Sequence, residues 1–431
     1  AILASTQRST RSPTPSASRK NHKSAEGYFL AGKSIPWWAV GASLIAANIS
    51  AEQFIGMSGS GYAIGMGIAA YEIMAAVTLI LVGKYFIPIF IEKGIYTIPE
   101  FVEKRFNKTL KTILAIFWIS LYILVNLTSV LYLGGLALET ILGIPLMYSI
   151  LGLAAFALLY SVYGGLSAVV WTDVIQVAVL VIGGFATSYV ALRWIGQGEG
   201  FMAGWSTLVQ DIPEHFEMIL DRSNPNFSQL PGISVLIGGL WVTNLYYWGF
   251  NQYIIQRTFA AKSIHEAQTG LVFAGFLKLI IPLICVIPGI AAYYITVHNP
   301  ALLDSLKEQY GNIVANNIPT ADHPDKSYPW VAQLLPTGLK GVVFAALAAA
   351  IVSSLASMLN STATIFTMDI YKEYINKSAS DVSLVRVGRL TAIVALAIAI
   401  FIAPLLSSLG QAFQFIQEYT GVVLILTFGF T

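Results

Sequence analysis

The chain of 431 residues is 56% hydrophobic and only 11% charged, with a mean hydropathy of +0.70, so most of its length must face lipid or other apolar helices. A formal net charge of +2 offers no electrostatic case for nucleic-acid binding, and a single cysteine, Cys285 in an apolar run, excludes an intrachain disulfide framework. The five histidines (His22, His215, His265, His298 and His323) fall in or near predicted loops and helix ends, which argues against haem ligation or a histidine proton relay inside a membrane.

Residues 1–26 are polar and rich in Ser, Thr, Arg and Lys, with no apolar run long enough for a signal-peptide core. They are expected to form a disordered tail ahead of a transmembrane domain over 27–431. From Pro36 onward, apolar windows alternate with short charged loops, as a stack of spanning helices requires. Ten spans are predicted: 36–61, 64–92, 109–142, 147–163, 166–194, 232–256, 264–296, 338–370, 386–408 and 411–430.

The first span is interrupted: Asn48-Ile49-Ser50-Ala51-Glu52-Gln53 and the glycines Gly56, Gly59 and Gly61 stand where a lipid-facing helix would be Leu, Ile and Val. In the second span Glu72 needs a partner within the membrane. Asp173 lies near the start of the fifth, where a solvated carboxylate and a functional one are both open readings. The sixth span is again dense in polar groups, with Thr243, Asn244, Tyr246, Tyr247, Trp248, Asn251 and Gln252. In the seventh, Lys278 is flanked by about two helical turns of apolar residues on each side. An ammonium there costs about 2.5–3.5 kcal/mol even on lenient insertion scales, so it is expected to serve a polar ligand, an ion or a partner charge, with Glu72 the obvious partner, directly or through a solute. Snorkelling to an interface is the alternative. The eighth span is rich in Ala and Ser; small residues allow close helix packing, and the adjacent hydroxyls of Ser353 and Ser354 can also offer oxygens to a hard cation such as sodium.

Lys and Arg collect in the tail, in the 93–111 loop, in the 257–265 loop (Arg257, Lys262) and in the 371–389 loop. Alternating spans put all four on one side, which the positive-inside rule makes cytoplasmic. The two long acidic loops, with Glu199, Asp211, Glu214, Glu217 and Asp221 in one and Asp304, Glu308, Asp322 and Asp325 in the other, fall on the opposite side. Broken helices opening each half of the array, repeat one over about 36–194 and repeat two over about 232–430, point to an inverted-repeat transporter with its site at the midplane.

The runs Lys33-Ser-Ile-Pro-Trp-Trp-Ala-Val-Gly-Ala-Ser-Leu, Ala46-Ala-Asn-Ile-Ser-Ala-Glu-Gln-Phe-Ile-Gly, Tyr163-Gly-Gly-Leu-Ser-Ala-Val-Val-Trp-Thr-Asp-Val-Ile-Gln and Ala349-Ala-Ile-Val-Ser-Ser-Leu-Ala-Ser-Met-Leu-Asn-Ser closely resemble the sodium/solute symporter family, and within it the bacterial sodium/galactose members. The resemblance runs from about Ser24 to Gly421. It implies an all-α polytopic protein of the LeuT type, two inverted five-helix repeats with broken first and sixth core helices. It implies a co-transported sodium ion held by the carbonyls of Ala46, Ile49 and Ala350 and the hydroxyls of Ser353 and Ser354, with Asp173 on the ion's way out. A sugar would be held by Gln53, Glu72, Asn244, Lys278 and Gln417, with Tyr247 stacked on its ring as an inner gate kept in place by Asn48. Met57 and Phe413 would cover the outer side.

The sequence also departs from the family. Ala75 replaces a Ser of sugar-transporting relatives, the tail stands where the family has a further spanning helix, and after Val423 the pattern is lost, so a shortened last helix is expected. The reading is thus a sodium-driven sugar symporter in the cell membrane, multi-pass, with a cytoplasmic N-terminal tail. The alternative within the same machinery is another small solute, an amino acid, a polyol or a vitamin. A membrane enzyme or a sensor finds no support in a nucleophile motif, a phosphate loop or an attached soluble domain.

Overall fold

A computed structural model describes residues 25–49, 52–228, 230 and 232–408 of the chain. Residues 1–24 of the predicted tail, the last predicted span and the candidate residues Phe413 and Gln417 lie outside the described residues. Ala25 and Glu26, assigned to the tail, belong to a helix, Ala25–Phe29. Its apolar side is the reason: Ala25, Tyr28 and Phe29 are buried with Ala363, Leu384 and Val385.

The regular structure of the described residues is helical, apart from two isolated β-bridges. The first predicted span is two pieces, α1 (Trp37–Asn48) and α2 (Met57–Ala63), the latter entered through a wide π-type turn over Glu52–Gly56. Helical geometry is lost at Ile49 (φ −73°, ψ 79°), directly after Asn48, whose side chain is engaged by Lys278 and Tyr247. Then come α3 (Met66–Glu92) and α4 (Lys108–Glu139), α5 (Leu146–Ile195) and α6 (Leu240–Leu245). A second wide turn, Tyr246–Phe250, leads to Asn251 in extended geometry (φ −85°, ψ 115°), and α7 (Gln252–Phe259) follows. The array continues with α8 (Ile264–His298), α9 (Thr337–Ile375) and α10 (Asp381–Leu406). Among the described residues, α3, α4, the Leu166–Ile195 arm of α5, α8, α9 and α10 are long and apolar enough to cross a membrane. The all-helical architecture with two interrupted helices is the one the sequence led us to expect.

Helix extends over Leu146–Ile195 in α5, where two spans were predicted. Its two arms nonetheless lie side by side. Gly134 of α4 faces both Leu153 and Ile351, while Ser353, one helical half-turn further along α9, bonds Asp173. A straight helix would separate residues 153 and 173 by about 30 Å, so the chain reverses between them.

The placement of α8 sets the level of everything else. Gly41 of α1 meets Gly270, and Gly61 of α2 meets Val286, so α8 runs parallel to both halves of the broken helix and bridges its gap. Missing Cβ atoms permit this approach. Lys278, halfway between those two contacts, therefore sits at the level of the break. Pro282 has no N–H to offer the Lys278 carbonyl four residues back, and regular helix gives way to turn at Leu279–Ile280. The second break is bedded in rings: Tyr122 donates to Asn251 Oδ1 at 2.6 Å and accepts the backbone N–H of Tyr253 at 3.3 Å. Trp118 stacks on Tyr246 with centroids 5.4 Å apart.

Two predictions follow from this packing. A Cβ at Gly289 of α8 would lie 2.0 Å from the backbone oxygen of Ser58, so Gly289→Ala should cost about 1–3 kcal/mol through overpacking, read as a lower melting temperature in detergent. Gly152→Ala, which meets nothing within 4 Å, should leave it unchanged. In the loop after α5, the buried His215 stacks on Tyr293 at 3.9 Å, and burial pushes its pKa down against the opposing Tyr62 carbonyl and Glu214. The folded value lies below the unfolded one of about 6.5, so this contribution is complete above the unfolded value and is lost as pH falls from there through the folded one. Melting measured at about pH 7.5 and 5.5 should show a fall that His215→Phe reduces.

Candidate functional site

Because α8 carries Lys278 to the level of the first break, its side chain finds the last residue of α1 and the first turn of regular helix in α3. Its Nζ donates to Glu72 Oε2 at 2.6 Å and to Asn48 Oδ1. The partners' side chains are 1% and 4% exposed, so the charge meets its partner directly. Gln53, in the wide turn after the break, donates to Glu72 Oε1 at 2.6 Å and reaches the Met57 sulfur at 3.2 Å. An isolated ion here would pay a desolvation cost of several kcal/mol, and a mutually hydrogen-bonded pair offsets it.

The second interrupted helix supplies the facing wall. Asn48 donates through Nδ2 to the Tyr247 hydroxyl at 3.0 Å, and that hydroxyl lies 2.6 Å from the hydroxyl of Tyr253. Asn244 turns its amide N–H to the Leu240 carbonyl at 2.9 Å and accepts the Trp248 indole N–H at 3.3 Å. Seven of the residues singled out from the sequence (Asn48, Gln53, Met57, Glu72, Asn244, Tyr247 and Lys278) thus surround one cavity of about 80 Å³, with Tyr71, Ala75, Thr243 and Trp248 completing its lining. Trp248 was given no role from the sequence. Its ring lies under Lys278 with the ammonium 5.0 Å from the centroid, a geometry in which the ring's quadrupole attracts the cation. A lysine and a tryptophan far apart in sequence carry no signal of that pairing.

The ion-site candidates lie on the other side of α1. Ala46, Ile49, Ala350, Ser353 and Ser354 are all fully buried. Ser354 donates to the Ala47 carbonyl at 3.2 Å, and Ser353 donates to Asp173 Oδ1. The last turn of an interrupted helix leaves carbonyls without helical partners, so neutral oxygens gather where α9 passes the end of α1. Asp173, for which the sequence left a solvated and a functional carboxylate open, is 0% exposed, which removes the solvated reading. Arg257 is a correction: counted among the cationic loop residues, it is buried in α7, every residue of which is buried. The cause is the carboxylate. Arg257 Nη2 lies 3.5 Å from Asp173 Oδ2, Nε donates to Ser43 Oγ at 2.7 Å, and the remaining N–H groups reach Ser357 Oγ and the Tyr253 carbonyl. Ser43 in turn donates to Asp173 Oδ2 at 2.5 Å. A charge count by loop cannot see a cation drawn inward by one buried acid.

The arrangement is a single one around the end of α1. It offers a polar, aromatic-walled cleft and a cluster of neutral oxygens on two sides of one helix break, the layout by which discontinuous helices hold a solute and an ion. Comparison with known proteins agrees. Residues 28–426 match the model of the sodium:solute symporter family. The chain is 75% identical over 401 residues to the sodium/glucose cotransporter of Vibrio parahaemolyticus, covering 93% of this chain and 73% of that protein. To the human sodium/myo-inositol cotransporter 2 it is 35% identical over 405 residues, covering 91% of this chain and 59% of that one. Among solved structures, the substrate-bound outward-open state of a Na⁺-coupled sialic acid symporter superposes with a TM-score of 0.78 at 26% identity, covering 91% of this chain and 79% of the other. The two broken helices, the residues gathered at their interruptions and these similarities lead to one conclusion: the chain belongs to the sodium:solute symporter family.

Proposed function

We propose that the chain is a sodium-coupled symporter importing a monosaccharide such as galactose or glucose by alternating access, with the Lys-rich end cytoplasmic as the positive-inside rule indicates. The observation that carries this reading is the network of Lys278, Glu72, Gln53 and Asn48 at the first break, faced by Tyr247 and Trp248. A neutral polyhydroxylated solute is held by several donors and acceptors around an aromatic face, because no single ion pair can grip it. The cavity of about 80 Å³ is smaller than the usual range of about 300–1,000 Å³. A sugar must therefore part these groups, its hydroxyls replacing the contacts they make with one another. The name of the Vibrio relative supports the solute class. That of the human relative, an inositol carrier, and the apolar Ala75 in the wall favour a polyol as the second reading.

Sodium supplies the work. One ion entering down about 100 mV releases about 2.3 kcal/mol, and a tenfold gradient adds about 1.4 kcal/mol. Each ion carried can thus sustain a solute gradient on the order of several hundredfold.

Proteoliposomes loaded without sodium test the function itself. Labelled galactose, glucose, myo-inositol or proline should accumulate only when sodium is outside, and accumulation of proline but of no sugar would sink the sugar reading. For the charge pair, Lys278→Met leaves Glu72 buried and unpaired and should cost about 3–5 kcal/mol along with uptake. Adding Glu72→Gln should restore the melting temperature without restoring uptake. Recovery of both together would remove the pair from the solute site. For the ion site, Ser353→Ala with Ser354→Ala removes two oxygens in a medium that offers no replacement, so sodium affinity should collapse. In the unaltered protein sodium should tighten sugar binding by the factor by which sugar tightens sodium binding. A double variant whose sugar affinity still responds fully to sodium would show that the hydroxyls serve helix packing alone.

A further inference from the structure

The proposed solute and ion sites lie on opposite sides of α1, yet two series of polar contacts that share Tyr253 join them. From Glu72 the first passes to Lys278, to Asn48, to the Tyr247 hydroxyl and to the Tyr253 hydroxyl. The second starts at the backbone carbonyl of Tyr253, which accepts from Arg257, and ends on Asp173 and Ser353. Two of the contacts cross a helix interruption: Asn48 closes α1, and Tyr253 stands two residues after Asn251. Tyr253 enters the series through two groups, its side-chain hydroxyl and its backbone carbonyl. Its N–H meets Tyr122 at 3.3 Å, its carbonyl is taken by the guanidinium, and its hydroxyl meets that of Tyr247. The ring itself is buried and packs edge-on against Tyr122 at 5.8 Å and Tyr247 at 6.1 Å.

We propose that Tyr253 is a positioning residue that couples the two sites: its hydroxyl ties the orientation of Tyr247 to that of α7, which Arg257 ties to Asp173 and the serines of α9. The inference rests on the symporter reading above. Sodium among the α9 hydroxyls and carbonyls at the end of α1 would bias the Asp173–Arg257–Ser43 cluster. Through the Tyr253 carbonyl that bias reaches a hydroxyl contact that either holds or releases Tyr247. The hydroxyl touches neither proposed ligand, so its removal should leave each affinity alone and change only how one depends on the other. Spatial continuity alone does not establish coupling; a measured interaction between the sites does.

Tyr253→Phe keeps the ring and its packing and removes one oxygen. In nanodiscs, binding of D-galactose would be titrated in sodium chloride and in choline chloride, and sodium binding with and without galactose. In the unaltered protein the two ligands should strengthen each other by a common factor, of the order of 5–150-fold. In Tyr253→Phe each ligand alone should bind within about twofold of the original, while the common factor falls to about twofold or less. Tyr247→Phe removes the other oxygen of the same contact, and combining both changes should lower the factor no further than either does alone, as expected of two groups acting through one interaction. Should Tyr253→Phe fail to fold, the fall in the factor is read from Tyr247→Phe. A factor unchanged in a folded variant overturns the proposal, as does a parallel loss of both affinities with the factor intact, the mark of general loosening. If the unaltered protein shows no mutual effect of sodium on galactose, glucose or myo-inositol, the symporter reading fails and this inference with it. If it shows the effect and Tyr253→Phe retains it, Tyr253 alone is excluded.

Discussion

The position of Lys278 opposite the interruption of α1 is the constraint on which the rest of the structure depends. A lysine in an apolar helix must be paired or moved to water, and here α8 holds it by glycine contacts on either side, Gly270 below and Val286–Gly61 above. It can do neither alone. Glu72 from α3, Asn48 from the end of α1 and the face of Trp248 from the turn after α6 all converge on the same ammonium. Each of those elements is thereby placed relative to the others by one charge, and the cavity is the space they leave.

The two breaks are satisfied in different ways, and the difference follows from their neighbours. Asn251 is built into protein on all sides: Tyr122 bonds its side chain, its carbonyl accepts from Ile254 and Ile255, and a stack of rings fills the surroundings. Irregular backbone at membrane depth is tolerated only where such partners, or a polar cavity, replace water. The first break faces instead the polar cleft on one side and the oxygens of α9 on the other, with Ser354 reaching the Ala47 carbonyl. It is therefore the break with chemistry left over.

A second buried pair, Arg257 with Asp173, governs the opposite side of α1. Arg rather than Lys suits this place because one planar fork can reach Ser43, Ser357, the Tyr253 carbonyl and the carboxylate together. Two ion pairs with a helix break between them, joined through Asn48, Tyr247 and Tyr253, make the cleft and the oxygen cluster one connected polar system inside an otherwise apolar bundle.

Much of this was legible in the chain itself. Hydrocarbon cannot hydrogen-bond a backbone, so an apolar chain of this length must be helical, and runs such as Asn48-Ile49-Ser50 and Trp248-Gly249-Phe250-Asn251 mark where the helices fail. A lone ammonium in lipid is costly enough that Lys278 and Glu72 could be matched before any coordinates, and adjacent serines on an Ala-rich helix suggested an ion's ligands. Three-dimensional packing alone decided the rest. Burial of Arg257 depends on Asp173, 84 residues away, and no local pattern reports a partner at that separation. The reversal within α5 was expected from its two predicted spans, but the roles of Tyr122, Trp248 and Tyr253 arise from contacts between helices distant in sequence. Composition and periodicity register what each segment must escape or seek in a membrane; which side chains then satisfy one another is set by the level at which helices cross, and here that level was fixed by glycine contacts between α8 and the two halves of the broken first helix.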